Sequence, residues 1–371
     1  MQNNCSYIET CGGCSLGLLD SSTLLKLKLK KAKQRLEKYD IKEFDIFETS
    51  KPSFRSRSEF RVFHKKTDIK YAMTNTEKKL FTIDSCVIVD ERTGEIMPKL
   101  LKHIKTDDIL SKKLFSIEFL NSTQNDTIAV LKYHKKLCDI WQTKANKLQD
   151  ILNINIIGRS KKQKLVLKND TIQNQFLVKN NIYKYNYQDI TFSQPNHEIN
   201  QKMINFINKN IKAGGDMCEL YCGAGNFSIA LSNKFEKILS TEINKTSIKL
   251  SRQNAFINGT SNIKFLRLSS DEFAQAINKT REFRRLKEQN ININDYNFST
   301  ILVDPPRAGV ENKTLDILKK FEQIIYISCC IDTLSKNLQT ITKTHRIKKM
   351  AFFDQFMWSS HIETITILQK Y

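Results

Sequence analysis

The spacing of apolar positions changes near residue 195, and that change divides the chain. Upstream, FRSRSEFRVFH (54–64) alternates apolar and polar residues. This is the period of a strand, and it sets Arg55, Arg57 and Arg61 on one side. KLFSIEFLNSTQNDTIAVLKYH (113–134) holds two apolar runs around a polar turn and predicts a hairpin. SSTLLKLKLKKAKQRLEKY (21–39) predicts a basic helix with Leu25, Leu29 and Leu36 on one face and Ser21 or Ser22 as its cap. The Leu–Lys alternation at its start also fits a strand. Residues 50–185 together predict a mixed α+β unit with much antiparallel sheet. Downstream, INQKMINFINKNI (199–211) has helical period. DMCELYCG (216–223), KILSTEI (237–243), STILVDPP (299–306) and QIIYISCC (323–330) are short apolar strands with helical stretches between them. Such alternation predicts an α/β fold with a parallel, doubly wound, Rossmann-like sheet. REFRRLKEQNININDY (281–296) is the nearest thing to an insert, and no internal repeat is visible.

Charge adds a partner. Lys and Arg number 60 against 39 Asp and Glu, a formal net charge of +21. Such an excess points to a polyanion, and RNA is the expectation. A Lys-rich genome offers the plainer explanation. No apolar run reaches the length of a membrane span, and no basic-then-apolar leader is visible, so the expectation is a cytoplasmic protein without membrane contact. Nine cysteines in that compartment suggest metal binding or catalysis rather than disulfides. The expected organisation is a Cys-rich metal-binding segment (1–20), a mixed α+β RNA-binding unit (21–185) and a catalytic α/β unit (186–371), acting as a monomer.

The α/β half carries the chemistry. ELYCGAGNFSIAL (219–231) places Gly223 and Gly225 between a strand and a helix, where glycines allow a tight turn and close approach to a ligand. Glu242 ends the next strand, where a carboxylate can accept both ribose hydroxyls of a nucleoside cofactor. The third glycine of the dinucleotide fingerprint is missing, and the Cys-Gly-Ala-Gly-Asn form suits S-adenosylmethionine-dependent methyltransferases better. Cys218 and Cys222 are expected to pack in that strand and turn. VDPPRAG (303–309) fixes Asp304 at a strand end with two stiffening prolines. YISCCIDT (326–333) puts Cys329 and Cys330 after the following strand, and HIE (361–363) brings a carboxylate, Glu363. A thiol and a carboxylate beside a methyl donor suggest methylation at carbon. Carbon 5 of uracil becomes nucleophilic only after a thiolate adds at carbon 6, and a base must then remove the carbon-5 proton.

These stretches resemble the 5-methyluridine RNA methyltransferases, and most of all the branch that forms ribothymidine in the T-loop of tRNA. The resemblance rests on FSQPN (192–196), ELYCGAGNFSIAL, TEI (241–243), REFRRL (281–286), VDPPRAG, YISC, FFDQF (352–356) and HIE, and extends upstream through FRSRSEFRVFH, YHKKL (133–137) and IGRSKKQKL (157–165). It implies that Cys329 is the nucleophile and Glu363 the base. It also implies that Gln194, Tyr221, Gly223, Asn226, Glu242 and Asp304 hold S-adenosylmethionine, and that the T-arm of tRNA is the partner, with tmRNA and other structured RNA as further candidates. One departure stands out: the family's usual Ser-Cys-Asn reads Ser-Cys-Cys here, so Cys330 competes with Cys329. Ribosomal-RNA members of the superfamily bind a 4Fe–4S cluster through a similar spacing, and Cys5, Cys11, Cys14 and Cys86 reproduce it. Zinc is the alternative. The cysteines favour a 23S rRNA substrate, whereas YHKKL, REFRRL and FFDQF favour tRNA. A non-catalytic RNA-binding or RNA-folding protein is the third reading. Arg55, Arg57, Arg61, His134, Lys135, Lys136 and Lys161–Lys164 are candidate phosphate contacts, and Phe63 and Phe192 candidate stacking partners for a flipped base.

Overall fold

Asp20, not a serine, opens the first helix: its carboxylate accepts the N–H groups of Ser22 and Thr23 at 3.1 and 3.0 Å. The computed structural model describes residues 1–41, 43–65 and 68–371. Helix α1 (Ser21–Leu36) buries Leu24, Leu25, Ala32 and Leu36, which settles the helix-or-strand ambiguity. A short strand, β1 (Asp45–Phe47), follows.

The middle unit is a seven-stranded sheet. Its strands are β2 (Arg57–Lys65), β3 (Asp68–Thr74), β4 (Leu80–Ile83), β5 (Leu114–Asn121), β6 (Thr127–Tyr133), β7 (Asn155–Ser160) and β8 (Gln163–Val166), in the order β4-β3-β2-β5-β6-β7-β8. The expected hairpin is β5–β6. One face carries α2 (Glu91–Lys105) and, after the short α3 (Asp108–Ser111), α4 (Asp139–Leu152), with Leu100, Phe119, Leu131 and Trp141 in the core between. From the other face Ile128, Val130 and Ile157 meet the hairpin β9 (Thr171–Val178)–β10 (Asn181–Gln188) and α5 (His197–Asn210).

The catalytic half is an eight-stranded sheet, and its parallel strands are apolar runs because helices cover both faces. It contains β11 (Asp216–Leu220), α6 (Asn226–Ala230), β12 (Ile238–Thr241), α7 (Lys245–Ile257), β13 (Ile263–Leu266), α8 (Ser270–Ile277), α9 (Arg284–Glu288), β14 (Phe298–Val303), α10 (Asn312–Leu318), β15 (Gln323–Ser328), α11 (Ile331–Ile341), β16 (His345–Phe353) and β17 (Glu363–Lys370). The order is β1-β16-β17-β15-β14-β11-β12-β13, with β17 antiparallel to both neighbours. Chain direction across the sheet reverses between β11 and β14, and the crevice beyond the carboxyl ends of those two strands is where such sheets bind ligands.

Two stretches fall outside the division expected from sequence. Strand β1 runs parallel to β16, pairing Phe47 with Phe353, and α1 packs Leu25, Ala32 and Leu36 into the core that holds Leu334 and Leu338 of α11. Helix α1 and strand β1 therefore belong with the eight-stranded sheet, because their apolar positions find partners there. The β9–β10 hairpin likewise buries Phe176, Tyr185 and Tyr187 against that half. Among the described residues no helix is long and apolar enough to cross a membrane.

Candidate active site

The turn after β11 is tightly wound. Tyr221 has φ +62°, Gly223 +53° and Gly225 +85°. A tyrosine in the left-handed region is uncommon, and such strain concentrates at functional sites. Glu242 secures the turn: its two oxygens accept Gly223 N–H at 3.2 Å and Asn244 N–H at 2.7 Å. Each oxygen keeps a further lone pair for a ligand. Asn226 turns away. Its amide is locked to that of Asn200 on α5 by reciprocal bonds of 2.8 and 2.9 Å. In this structure Asn226, expected at the cofactor, binds Asn200 and anchors the turn.

The other expected cofactor positions line one cavity of about 1050 Å³, namely Gln194, Tyr221, Gly223, Glu242 and Asp304, together with Cys329 and Glu363. Cys330 faces elsewhere. It caps α11, and although burial raises its thiol, the N–H and hydroxyl of Thr333 and the N–H of Asp332 outweigh burial and lower it. Gln194 accepts the side-chain N–H of Gln355 at 2.8 Å. Gln355 lines the cavity too; FFDQF contained it, yet nothing in the sequence showed that it would reach Gln194.

Three ionisable groups crowd the cavity floor. Burial pushes Glu363 up to about 8, the Asp304 charge adds to this, and Arg307 opposes it. Burial pushes Asp304 up to about 7. The Cys329 thiol rises to about 11, first through burial, then through Glu363 and Asp304, again opposed by Arg307. Arg307 in turn donates to His361 Nε2 at 2.9 Å. Behind the glycine turn a fourth acid, Glu219, is buried in β11 and pushed up to about 8 by burial, while accepting Ser228 N–H at 3.2 Å and Ser240 O–H at 3.3 Å. No motif marked it.

The cavity's far wall contains Cys5, Cys11, Cys14 and Cys86. The Cys14 thiol is raised to about 12, chiefly by burial and then by the charges of Cys86, Cys11 and Cys5. The four thiols match an iron–sulfur or zinc site in kind and number. Among the described residues no group of three or more His, Cys, Asp or Glu side chains is arranged to hold a metal ion. Cys5 and Cys11 instead accept the N–H groups of Tyr7 and Gly13, each at 3.4 Å.

Several basic residues expected to contact phosphate are engaged inside the protein. Arg57 pairs with Glu118 at 2.6 Å and donates to the carbonyls of Asp189 and Thr191. Lys164 pairs with Asp170 and Asp189, and Lys135 donates to the Ile109 carbonyl. Arg61, Lys136, Lys161 and Lys162 are exposed. Phe63 and Phe192 are exposed as well, Phe192 at the cavity.

A sequence model of the family described as tRNA (Uracil-5-)-methyltransferase matches residues 20–371. The chain belongs to that family. Its relatives include the tRNA/tmRNA (uracil-C(5))-methyltransferase of Aliarcobacter butzleri, 44% identical over 99% of both chains, and that of Campylobacter concisus, 40% identical over 99% of both. Among solved structures, the Pyrococcus abyssi tRNA (uracil-54, C5)-methyltransferase in complex with S-adenosyl-L-homocysteine superposes with a TM-score of 0.74. That likeness covers 96% of this chain and 86% of the other at 19% identity, and it bears on the fold. The family match begins after Cys14, so three of the four clustered thiols lie outside it, and Cys86 inside.

Proposed function

We propose that this uracil-5 methyltransferase modifies a uridine in the T-loop of tRNA, with tmRNA as a further substrate. The observation that carries the reading is the convergence of Cys329, Glu363 and Asp304 in one cavity at the sheet's switch point. The branch-level resemblance and the relatives named for tRNA and tmRNA support the substrate. Gln194, Tyr221, Gly223, Glu242 and Asp304 are positioned to hold S-adenosylmethionine. When bound, it supplies an electrophilic methyl group.

The chain's own residues do the rest. The target base is flipped out of the RNA to reach the cavity. The Cys329 thiol loses its proton and the thiolate adds to carbon 6, so that the electron pair of the 5,6 double bond moves toward the carbon-4 carbonyl and carbon 5 becomes nucleophilic. Once carbon 5 bears its methyl group, Glu363 takes the proton from it. That electron pair re-forms the double bond, the carbon–sulfur bond breaks, and the thiolate is regenerated. Glu363 acts as carboxylate here, so its protonated resting form must first ionise.

The test is Glu363→Gln, which keeps size and most hydrogen bonding but cannot accept the proton. With unmodified tRNA and methyl-labelled cofactor, wild-type protein should yield 5-methyluridine by nucleoside mass spectrometry. The variant should accumulate a denaturation-resistant, methyl-labelled protein–RNA complex, with turnover down ~10²–10⁴-fold. Normal turnover by the variant, or a complex without methyl, rejects the role of Glu363.

The family resemblance assigns Cys5, Cys11, Cys14 and Cys86 a structural iron–sulfur cluster, and what supports it is that all four line one cavity; zinc is the competing occupant. Anaerobically purified protein should contain about four irons per chain, and Cys86→Ser should lose them. Stoichiometric zinc would replace the cluster in this reading, and absence of both metals would reject a metal altogether.

A further inference from the structure

The buried face of α1 carries a lysine. Lys28 is 5% exposed and sits among Leu24, Leu25, Ala32 and Leu36. A buried ammonium is costly unless its three protons are satisfied. They are: Nζ donates to Asp354 Oδ1 at 2.6 Å, the Phe356 carbonyl at 2.8 Å and the Met357 carbonyl at 3.2 Å. All three acceptors lie in one loop, 354–362, which joins β16 to β17, and β17 opens with Glu363.

That loop is fastened largely from outside itself. Asp354 N–H donates to the Phe47 carbonyl at 2.8 Å, and the Asp354 carbonyl accepts Thr49 O–H at 2.5 Å. The Trp358 carbonyl accepts Leu16 N–H at 3.2 Å, and Met357 and Trp358 are buried with Leu24, Phe54 and Ile88. Within the loop Gln355 holds Gln194, and His361 meets Arg307. Lys28 is thus the hub through which the N-terminal helix grips the segment leading into the base.

We propose that Lys28 is a positioning residue for proton removal: by binding Asp354, Phe356 and Met357 it fixes the loop that sets Glu363 against carbon 5 of the substrate. It touches neither substrate nor cofactor. The inference rests on the reaction proposed above. Stability alone does not explain the residue, because replacing a buried ion pair by apolar side chains of similar volume is often neutral or stabilising. Placement does explain it, since a misplacement of about 1 Å can reduce a rate ~10²-fold.

The experiment compares wild type, Lys28→Met and Lys28→Met/Asp354→Leu. The double variant removes both charges together, so it avoids the unpaired carboxylate left by the single one. Each protein receives tRNA carrying tritium at uracil carbon 5 and methyl-labelled cofactor, and two rates are followed: formation of the methylated covalent complex and release of tritium. The double variant should melt near the wild-type temperature and form the complex at the wild-type rate. It should release tritium about a hundredfold more slowly, and methylated complex should build up. Tritium release at the wild-type rate overturns the proposal. So does an equal slowing of both steps, which marks a general structural role, and so does failure of the double variant to fold. Wild-type protein that neither transfers the methyl label to the tRNA nor releases tritium overturns the reaction itself, a result distinguishable from all of these.

Discussion

Arg307 opposes burial at the two groups that lose protons in the proposed reaction. It holds down both the Cys329 thiol and the Glu363 carboxyl, against burial and the Asp304 charge. Both act deprotonated, so activity should rise with pH across the region near 8 where Glu363 ionises. Arg307→Gln removes the opposing charge and raises both values. The rising limb of the pH–rate profile should therefore move to higher pH, and each unit of movement corresponds to about tenfold less active form on that limb. A variant profile that coincides with wild type would mean solvent screens the guanidinium. Residues of this kind differ in how far sequence revealed them. Cys329, Asp304, Glu242 and Glu363 were legible because each follows or opens an apolar strand in a short motif. The pairing of Asn226 was not legible because its partner, Asn200, lies 26 residues upstream on another helix. Lys28 was hidden for a different reason: in a Leu–Lys run every lysine reads as solvent-facing, and only the fold reveals which one finds an acid 326 residues away.

At the scale of elements, the loop from Asp304 to Val310 matters most, and α11 shapes it. Asn337 Oδ1 accepts Val310 N–H at 3.1 Å and Tyr326 O–H at 2.7 Å, so the loop is tied both to a helix and to the neighbouring strand. Gly309 permits this approach with φ +79°; a Cβ there would lie 2.7 Å from Asn337 Oδ1. Gly309→Ala should cost about 1–3 kcal/mol, read as a lower thermal midpoint, and should weaken S-adenosylmethionine binding by displacing Asp304. Unchanged calorimetric binding alongside a lowered midpoint would separate the loop's fold from the cofactor site. The parallel strands β11, β12, β14 and β15 were legible as apolar runs flanked by helical stretches, and the β5–β6 hairpin as two runs around a polar turn. The allegiance of α1 and β1 was not legible. A three-residue edge strand has too little pattern to announce its partner, and that partner, β16, lies about 300 residues downstream.

For the whole molecule, the excess of positive charge predicts RNA affinity that falls steeply with salt, as counterions released on binding make it do. The fold narrows which cations contribute. Lys135, Lys164 and Arg57 are engaged internally, whereas Lys136, Lys161 and Lys162 are exposed. Replacing the last three with alanine should flatten the log–log salt dependence by about 0.7–0.9 for each phosphate no longer neutralised and leave cofactor binding intact; an unchanged slope would assign these lysines to bulk solvent. The pairing of β1 with β16 also bears on how the chain is made. At roughly 5–20 residues per second, ribosomes deliver β1 about 15–60 s before β16. During that interval the edge of β1 has no native strand to pair with, and Lys28 of α1 lacks its acceptors in the 354–362 loop. The eight-stranded sheet therefore cannot be completed until synthesis is nearly finished.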